Sequence, residues 1–182
     1  MTLLVDVLNE KSLSDVDLVL FALPGVGDVG KNAIGLLNEA NQATPAVRFI
    51  HPGLAPLARL DEDGLLSPPH IIAHRVETAN GTVILTITGR GQPSDSSQQH
   101  DFTTELLKHL SDQGMTELVV LAGLMSPPEV KEAFVVATST THRVNLEEKG
   151  IDVRRDQPSG GAIGMSALMA SLAPLFGLNS VC

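Results

Sequence analysis

Short apolar runs alternate along the chain with stretches of helical periodicity. The run DLVLFAL, residues 17–23, ends at Pro24 and Gly25 and predicts a strand that is buried on both faces. In residues 31–40 the apolar positions recur at helical spacing, which predicts an amphipathic helix. The same patterns predict further strands at residues 46–50, 117–122 and 133–138, a helix at 141–149 that ends at Gly150, and a last helix after Gly160 and Gly161.

The middle of the chain predicts a β-hairpin. Residues 71–77 and 82–88 are rich in β-branched positions and flank Asn80-Gly81, a dipeptide that favours the positive φ angles of a tight turn. The polar stretch 89–101 predicts a loop, followed by a helix at 102–113 that Asp101 caps and Gly114 ends. Residues 52–69, rich in proline, predict irregular structure.

This order of elements predicts one α/β domain over residues 1–182. Strands that alternate with helices indicate a mixed, mostly parallel central sheet with helices on both faces, and the hairpin adds an antiparallel part. Neither a linker nor a repeat divides the chain.

Composition narrows the function classes. Hydrophobic residues make up 43% of the 182 residues, charged residues 18%, and the net charge of -9 disfavours nucleic-acid binding. Cys182 is the only cysteine, so no intramolecular disulfide is possible, and the amino terminus lacks a signal-peptide pattern. We therefore expect a cytoplasmic protein. The uncharged stretch 157–182 predicts a buried helix; membrane association through that helix is a weaker reading.

A glycine loop between the first strand and the first helix is the main candidate site. Gly25, Gly27 and Gly30 have the spacing G-x-G-x-x-G of dinucleotide-binding loops. That fingerprint requires an acidic residue about 20 positions later, where this chain has His51. Asp28 already supplies negative charge at the helix start and would repel a phosphate. The sequence therefore favours a structural turn over a nucleotide site, and we expect no cofactor.

The sequence is also compatible with a ligand-binding alternative. A second glycine-rich helix start follows Ser159, and two glycine loops that faced one cleft would offer free backbone N–H groups to a small anion or a nucleotide. The candidate ligand-binding residues of that reading are Gly25, Gly27, Asp28, Gly30, Arg90, Thr138, Gly160, Gly161 and Gly164.

Other polar groups suggest no chemistry. His70 and His74 are four apart, but on a strand that spacing is roughly 13 Å, too far for one metal ion. Ser94, Ser96, His100 and Asp101 have the residue types of a hydrolase triad, yet their closeness in sequence favours a solvated loop. The run TSTT at 138–141 favours a helix cap over a ligand site. We predict no catalytic residue and no metal site.

Several short motifs occur in an order typical of one family. They are Pro24, Gly25, Gly27, Val29 and Gly30 near the amino terminus, Gly123 at the end of ELVVLAG, Ala137 and Thr138 after the next apolar run, and Gly161 and Gly164 in PSGGAIGMSALMA. By these motifs the chain resembles the proteasome assembly chaperone type 2 family, especially its archaeal members.

The resemblance implies a three-layer α/β/α fold like that of the nucleoside phosphorylase and peptidase group, without an established catalytic apparatus. It implies self-association and, in some relatives, binding to proteasome α subunits through a carboxyl-terminal tail that contains tyrosine. This chain ends in NSVC and has no tyrosine, so we do not expect docking through such a tail. The leading hypothesis is a non-enzymatic scaffold or assembly chaperone that forms homo-oligomers. Its rival is a small-molecule or nucleotide-binding enzyme that uses the loops at 25–30 and 160–164.

Overall fold

A seven-stranded mixed sheet forms the middle layer of the protein. The computed structural model describes residues 3–61, 63–125, 127, 129 and 132–182. In chain order the elements are β1 (Leu4–Val7), β2 (Leu18–Phe21), α1 (Val29–Ala40), β3 (Thr44–Ile50), β4 (Arg59–Leu60), β5 (Leu66–Ser67), β6 (Ile71–Glu77), β7 (Val83–Gly89), α2 (Ser96–Asp112), β8 (Glu117–Val120), α3 (Thr140–Glu148), α4 (Met165–Leu172) and β9 (Asn179–Val181).

The sheet has an antiparallel half and a parallel half. Its strand order is β1-β3-β6-β7-β2-β8-β9. The pairs β1–β3, β3–β6 and β6–β7 are antiparallel, whereas β7–β2, β2–β8 and β8–β9 are parallel. The predicted mixed sheet is therefore confirmed. β4 and β5 form a separate small hairpin within the proline-rich stretch.

Helices cover both faces of this sheet. On β7 the side chains of Leu85 and Ile87 join the main core with α2 and α4, whereas Thr86 faces the other way and its hydroxyl is 2.8 Å from Oδ1 of Asn38 on α1. This alternation follows from the two-residue period of a strand. The predicted three-layer α/β/α architecture is confirmed.

The hairpin and two helix ends match the sequence prediction closely. Ile71 pairs with Gly89 and Glu77 with Val83, and Gly81 in the turn has φ +86°. Gly114 and Gly150 follow α2 and α3 with φ near +80°, the left-handed conformation that glycine adopts without strain.

Two element predictions were wrong. The helix predicted to begin at residue 102 begins at Ser96, because the carboxylate of Asp95, not Asp101, accepts hydrogen bonds from the N–H groups of Ser97 and Gln98. Ser96, His100 and Asp101 therefore lie on a helix. The strand predicted at 133–138 is reduced to isolated bridges, Val135 with Val153 and Ala137 with Val181.

Candidate functional site

The glycine loop lies at one edge of the parallel half of the sheet. It leaves the carboxyl end of β2, forms a short 3₁₀ turn over Val26–Asp28 and enters α1. The neighbouring strands β7 and β8 run parallel to β2, so their carboxyl ends meet at the same edge. In open α/β sheets this edge is where ligands usually bind.

The loop is closed by its own aspartate. The N–H of Asp28 donates to the carbonyl oxygen of Gly25 over 3.1 Å, and the N–H of Gly25 donates to Oδ1 of Asp28 over 3.2 Å. The other carboxylate oxygen lies 3.6 Å from Nζ of Lys31. Gly27 has φ +61°, which glycine adopts freely. The carboxylate thus places a negative charge at the start of α1, where the helix dipole favours anions.

Two glycines are required by close backbone approaches. A Cβ on Gly30 would lie 2.6 Å from the carbonyl oxygen of Leu121, and a Cβ on Gly123 would lie 2.3 Å from the carbonyl oxygen of Val26. No side chain fits at such distances, because the neighbours are backbone atoms. These contacts press the glycine loop against the segment that follows β8, so tight packing accounts for both glycines.

The other candidate residues lie in different surroundings. Arg90 directly follows β7 and is exposed at the same edge. The hydroxyl of Thr138 donates to the carbonyl oxygen of Ser180 over 2.9 Å and lies 2.6 Å from the Ser180 hydroxyl. The neighbouring Ser139 caps α3, since its hydroxyl accepts the N–H of His142, as the helix-cap interpretation of TSTT predicts.

The second glycine stretch lies open to solvent. Gly160 and Gly161 are exposed, Gly164 precedes α4 with φ +84°, and a Cβ on any of the three would meet nothing within 4 Å. The protein has a cleft of about 310 Å³ lined by polar residues around Arg75. A second cleft, of about 490 Å³, is lined by Leu4, Ile50 and residues of the proline-rich stretch. Neither is lined by a candidate residue, and the ligand-binding role of the nine candidates stays a prediction.

A buried histidine lies directly after β3. His51 follows β3, is 3% exposed, accepts the N–H of Gly53 at Nδ1 over 3.0 Å and packs edge-on against Phe102. Burial lowers its pKa below 6.5, although Glu105 and Asp101 oppose this shift. Its place after an apolar strand was the only signal in the sequence.

An exposed apolar stripe runs along the outer surface of α1. Val29 and Leu36 are 61% and 68% exposed, and Ala33 lies between them at helical spacing. Exposed Val26 continues this surface, which touches the segment after β8 at Gly123. We call Val26, Val29, Ala33 and Leu36 the α1 stripe. The i, i+4, i+7 spacing of its last three members was the signal in the sequence that could have identified it.

Comparison with known proteins identifies the family. The model of the PAC2 family matches residues 19–182 of this chain. The chain belongs to the PAC2 family. No curated protein sequence matches it significantly. The family assignment agrees with the resemblance drawn from the short motifs.

Solved structures share the PAC2 fold seen here. The archaeal proteasome activator PbaB of Pyrococcus furiosus superposes with TM-score 0.82 at 19% identity, covering 99% of this chain and 78% of that one. PbaA of the same organism, a homolog of proteasome-assembly chaperone, superposes with TM-score 0.71 at 19% identity, covering 100% of this chain and 71% of that one. A proteasome-assembly chaperone homologue of Mycobacterium tuberculosis superposes with TM-score 0.65 at 20% identity, covering 90% of this chain and 72% of that one.

The uncharged carboxyl-terminal stretch forms a short buried helix. α4 spans eight residues and continues into a 3₁₀ turn over Ala173–Phe176, and Met165 and Met169 are fully buried in the main core. Within the part of the chain that the structure describes, no helix has the length and apolar character needed to cross a membrane.

Proposed function

We propose that this PAC2 protein is a non-enzymatic, cytoplasmic assembly-chaperone-like scaffold that forms homo-oligomers and binds proteasome subunits. The observation that carries the proposal is the agreement of the family match over residues 19–182 with a fold shared with PbaB over nearly the whole chain. Three of the structures that share this fold are described as a proteasome activator or as homologues of proteasome-assembly chaperones.

The geometry of the glycine loop supports a non-enzymatic role. Its Gly30 and its partner Gly123 are committed to backbone packing, and Asp28 is committed to the loop itself. The Thr138 hydroxyl is bonded to β9. Polar groups that are already paired with the protein have little left to offer a substrate.

The α1 stripe supports a binding role for protein partners. Contiguous apolar side chains on a protein surface are typical of interaction sites, since their exposure to water costs free energy. Val29 and Leu36 are the large exposed apolar side chains of α1 and lie two helical turns apart on one side. We assign this stripe to the contact with a proteasome subunit.

A binding measurement tests the proposal. Purified proteasome α subunits from the organism of this chain are titrated onto the immobilised protein, and onto the double variant Val29→Glu, Leu36→Glu. We expect measurable binding that falls at least tenfold in the double variant. Leu175→Glu, at an exposed position on the opposite side of the sheet, is the matched control and retains binding. No binding of α subunits to the wild-type protein would contradict the proposal.

A thermal-shift panel tests the rival enzyme hypothesis on the same material. NAD, ATP, nucleosides and phosphate are added in excess, since a ligand that binds the folded state raises the melting temperature. We expect no shift with any of them. A nucleotide-dependent shift that Arg90→Ala or Gly27→Val removes would favour the ligand-binding alternative and contradict the scaffold.

A further inference from the structure

Within the described residues, the backbone groups on the outer edge of β1 have no hydrogen-bond partner. Leu8, just after β1, donates its N–H to the carbonyl oxygen of Ala46 over 2.9 Å and so faces β3. In an antiparallel ladder the residues that face the partner strand alternate with residues that face away. The N–H and C=O groups of Val5 and Val7 therefore lie in the plane of the sheet and point away from β3, beyond the edge of the sheet.

This edge has few of the features that prevent pairing. Natural edge strands are blunted by short length, charged side chains, proline or a bulge, or are covered by another segment. β1 is short and has one charge, but it has no proline and no lysine, and its register with β3 shows no bulge. β1 has the sequence LVDV, and all four residues are exposed. Its one charge, on Asp6, is 3.6 Å from the guanidinium of Arg48 and is thus partly neutralised. An apolar, unblocked edge is a template for another strand.

The accessible surface of the chain is larger than a compact monomer requires. Its area is 10498 Å², whereas a monomer of 19.2 kDa has about 8,400 Å². The excess is about 2,000 Å², more than the roughly 800 Å² that each partner buries in a standard interface. A second copy therefore has surface to cover, and an identical copy carries the same open edge.

From these observations we infer that β1 pairs with β1 of a second copy in an antiparallel, two-fold arrangement, joining two sheets into one. This inference deepens the homo-oligomer of the proposed function and rests on it. It names the surface through which two copies meet. The pairing satisfies the outward backbone groups of each β1 strand with outward groups of the partner's strand, as an isologous interface requires.

Charge selects the register. A pairing centred on Asp6 would place two carboxylates directly opposite each other, which is destabilising. A pairing centred on Val5 places Asp6 of each copy opposite Leu4 of the other and avoids this repulsion. It also carries Leu8 of one copy past Leu4 of the other.

An apolar groove lies where that leucine arrives. The groove has a volume of about 490 Å³ and is lined by Leu4, Ile50 and the proline-rich loop at Pro52, Pro56 and Pro68. Leu8 is 38% exposed in the single chain and lies on the same face of β1 as Leu4. The groove thus offers the partner's leucine an apolar environment next to the paired strands.

The molar mass of three proteins tests this inference. Light scattering coupled to size exclusion is run on the wild type, on Val5→Lys and on Leu36→Lys at matched concentration. We expect the wild type to have at least twice 19.2 kDa and Val5→Lys to lose at least half of that mass. Leu36→Lys places the same charge on an exposed apolar position of α1 and retains the wild-type mass.

The outcomes separate this inference from the proposed function. An oligomeric wild type whose mass Val5→Lys leaves unchanged overturns the β1 pairing alone. A monomeric wild type overturns both the pairing and the homo-oligomer, whereas binding of proteasome subunits is measured independently with the α1 stripe variants. Circular dichroism verifies that Val5→Lys is folded.

A cross-linking variant tests the register without added charge. In a Cys182→Ser background, Val5→Cys places two thiols opposite each other across the two-fold, at a Cα separation of about 5.5 Å that a disulfide accepts. We expect a covalent dimer on mild oxidation, and none from Leu36→Cys in the same background. The reverse result would overturn the inference.

Discussion

The two edges of the central sheet end in opposite ways. At β9 the chain covers its own edge, since Val136 and Cys182 exchange hydrogen bonds of 2.8 and 2.9 Å. The N–H of Thr138 adds a third bond to the carbonyl oxygen of Ser180. At β1 the outward groups of Val5 and Val7 meet no such segment in the described part of the chain.

The contrast indicates that the open edge has a use. Residues 136–138 cover the β9 edge with their backbone hydrogen bonds. β9 has three residues and β1 has four, so the protein covers the shorter of its two edge strands. The β1 edge, with Leu4 60% exposed and Val7 44% exposed, carries the larger cost of contact with water. An edge that is apolar and uncovered in one copy is explained if a second copy covers it.

Proline substitution gives the largest expected difference between the two edges. Val136→Pro removes an N–H that pairs with Cys182, so we expect the free energy of unfolding to fall by about 2–3 kcal/mol. Val5→Pro removes an N–H that points outward, a position where edge strands accept proline, so the monomer should change by about 0.5 kcal/mol or less. Urea denaturation at low protein concentration measures both. Equal losses would mean that the β1 edge is not open.

A smaller effect is expected inside the covered edge. Ser180 is fully buried, and its hydroxyl donates to the carbonyl oxygen of Ala170 over 2.7 Å beside Thr138. Ser180→Ala leaves that carbonyl unpaired, and we expect a loss of about 1–2 kcal/mol. The control is Ser14→Ala, which removes an exposed hydroxyl that donates to the carbonyl oxygen of Lys11 over 3.0 Å. A loss at Ser14 as large as that at Ser180 would contradict the account.

The pH dependence of stability tests the buried histidine beside the groove. The pKa of His51 is lowered in the folded state, so the unfolded chain binds its proton more readily. Above pH 6.5 His51 is neutral in both states and does not reduce the free energy of unfolding. As the pH falls below 6.5, the unfolded chain takes up the proton first and the free energy of unfolding decreases. We expect the melting temperature to decrease from pH 7 to pH 5, and His51→Asn, which retains an acceptor for Gly53, to flatten this decrease. An unchanged slope would contradict the role of burial.

The smallest effect is expected at the ion pair of the open edge. Asp6→Asn weakens a partly exposed pair with Arg48, so the monomer should lose less than about 1 kcal/mol. The same variant distinguishes the two possible registers of the β1 pairing. If pairing were centred on Asp6, removing two facing carboxylates would strengthen the dimer, whereas pairing centred on Val5 predicts little change. Sedimentation equilibrium of the two proteins distinguishes these results.

Local sequence signals predicted the centre of the fold but not its edges. The turn at Asn80-Gly81 and the periodicity of 31–40 are strong signals, and both elements were correct. β1 and β9 have only four and three residues, too few for periodicity to separate a strand from a loop. The start of α2 was missed because its first turn is entirely polar and hides the helical pattern that begins at Phe102.

The glycine spacing suggested two roles that only the three-dimensional neighbours can separate. The distances from Gly30 to Leu121 and from Gly123 to Val26 cannot be obtained from the sequence, since these residues are 91 and 97 positions apart in the chain. The preference for a tight turn came from local chemistry, the presence of Asp28 and the absence of a later acidic residue. Packing adds a separate reason for the same glycines.

Residue-resolved hydrogen exchange tests the central claim most directly. The amides of Val5 and Val7 point out of the sheet, whereas that of Asp6 faces β3. We expect protection of the Val5 and Val7 amides to rise with protein concentration, while protection of Asp6 stays constant. Fast exchange at Val5 and Val7 at every concentration would contradict the pairing of two copies through β1.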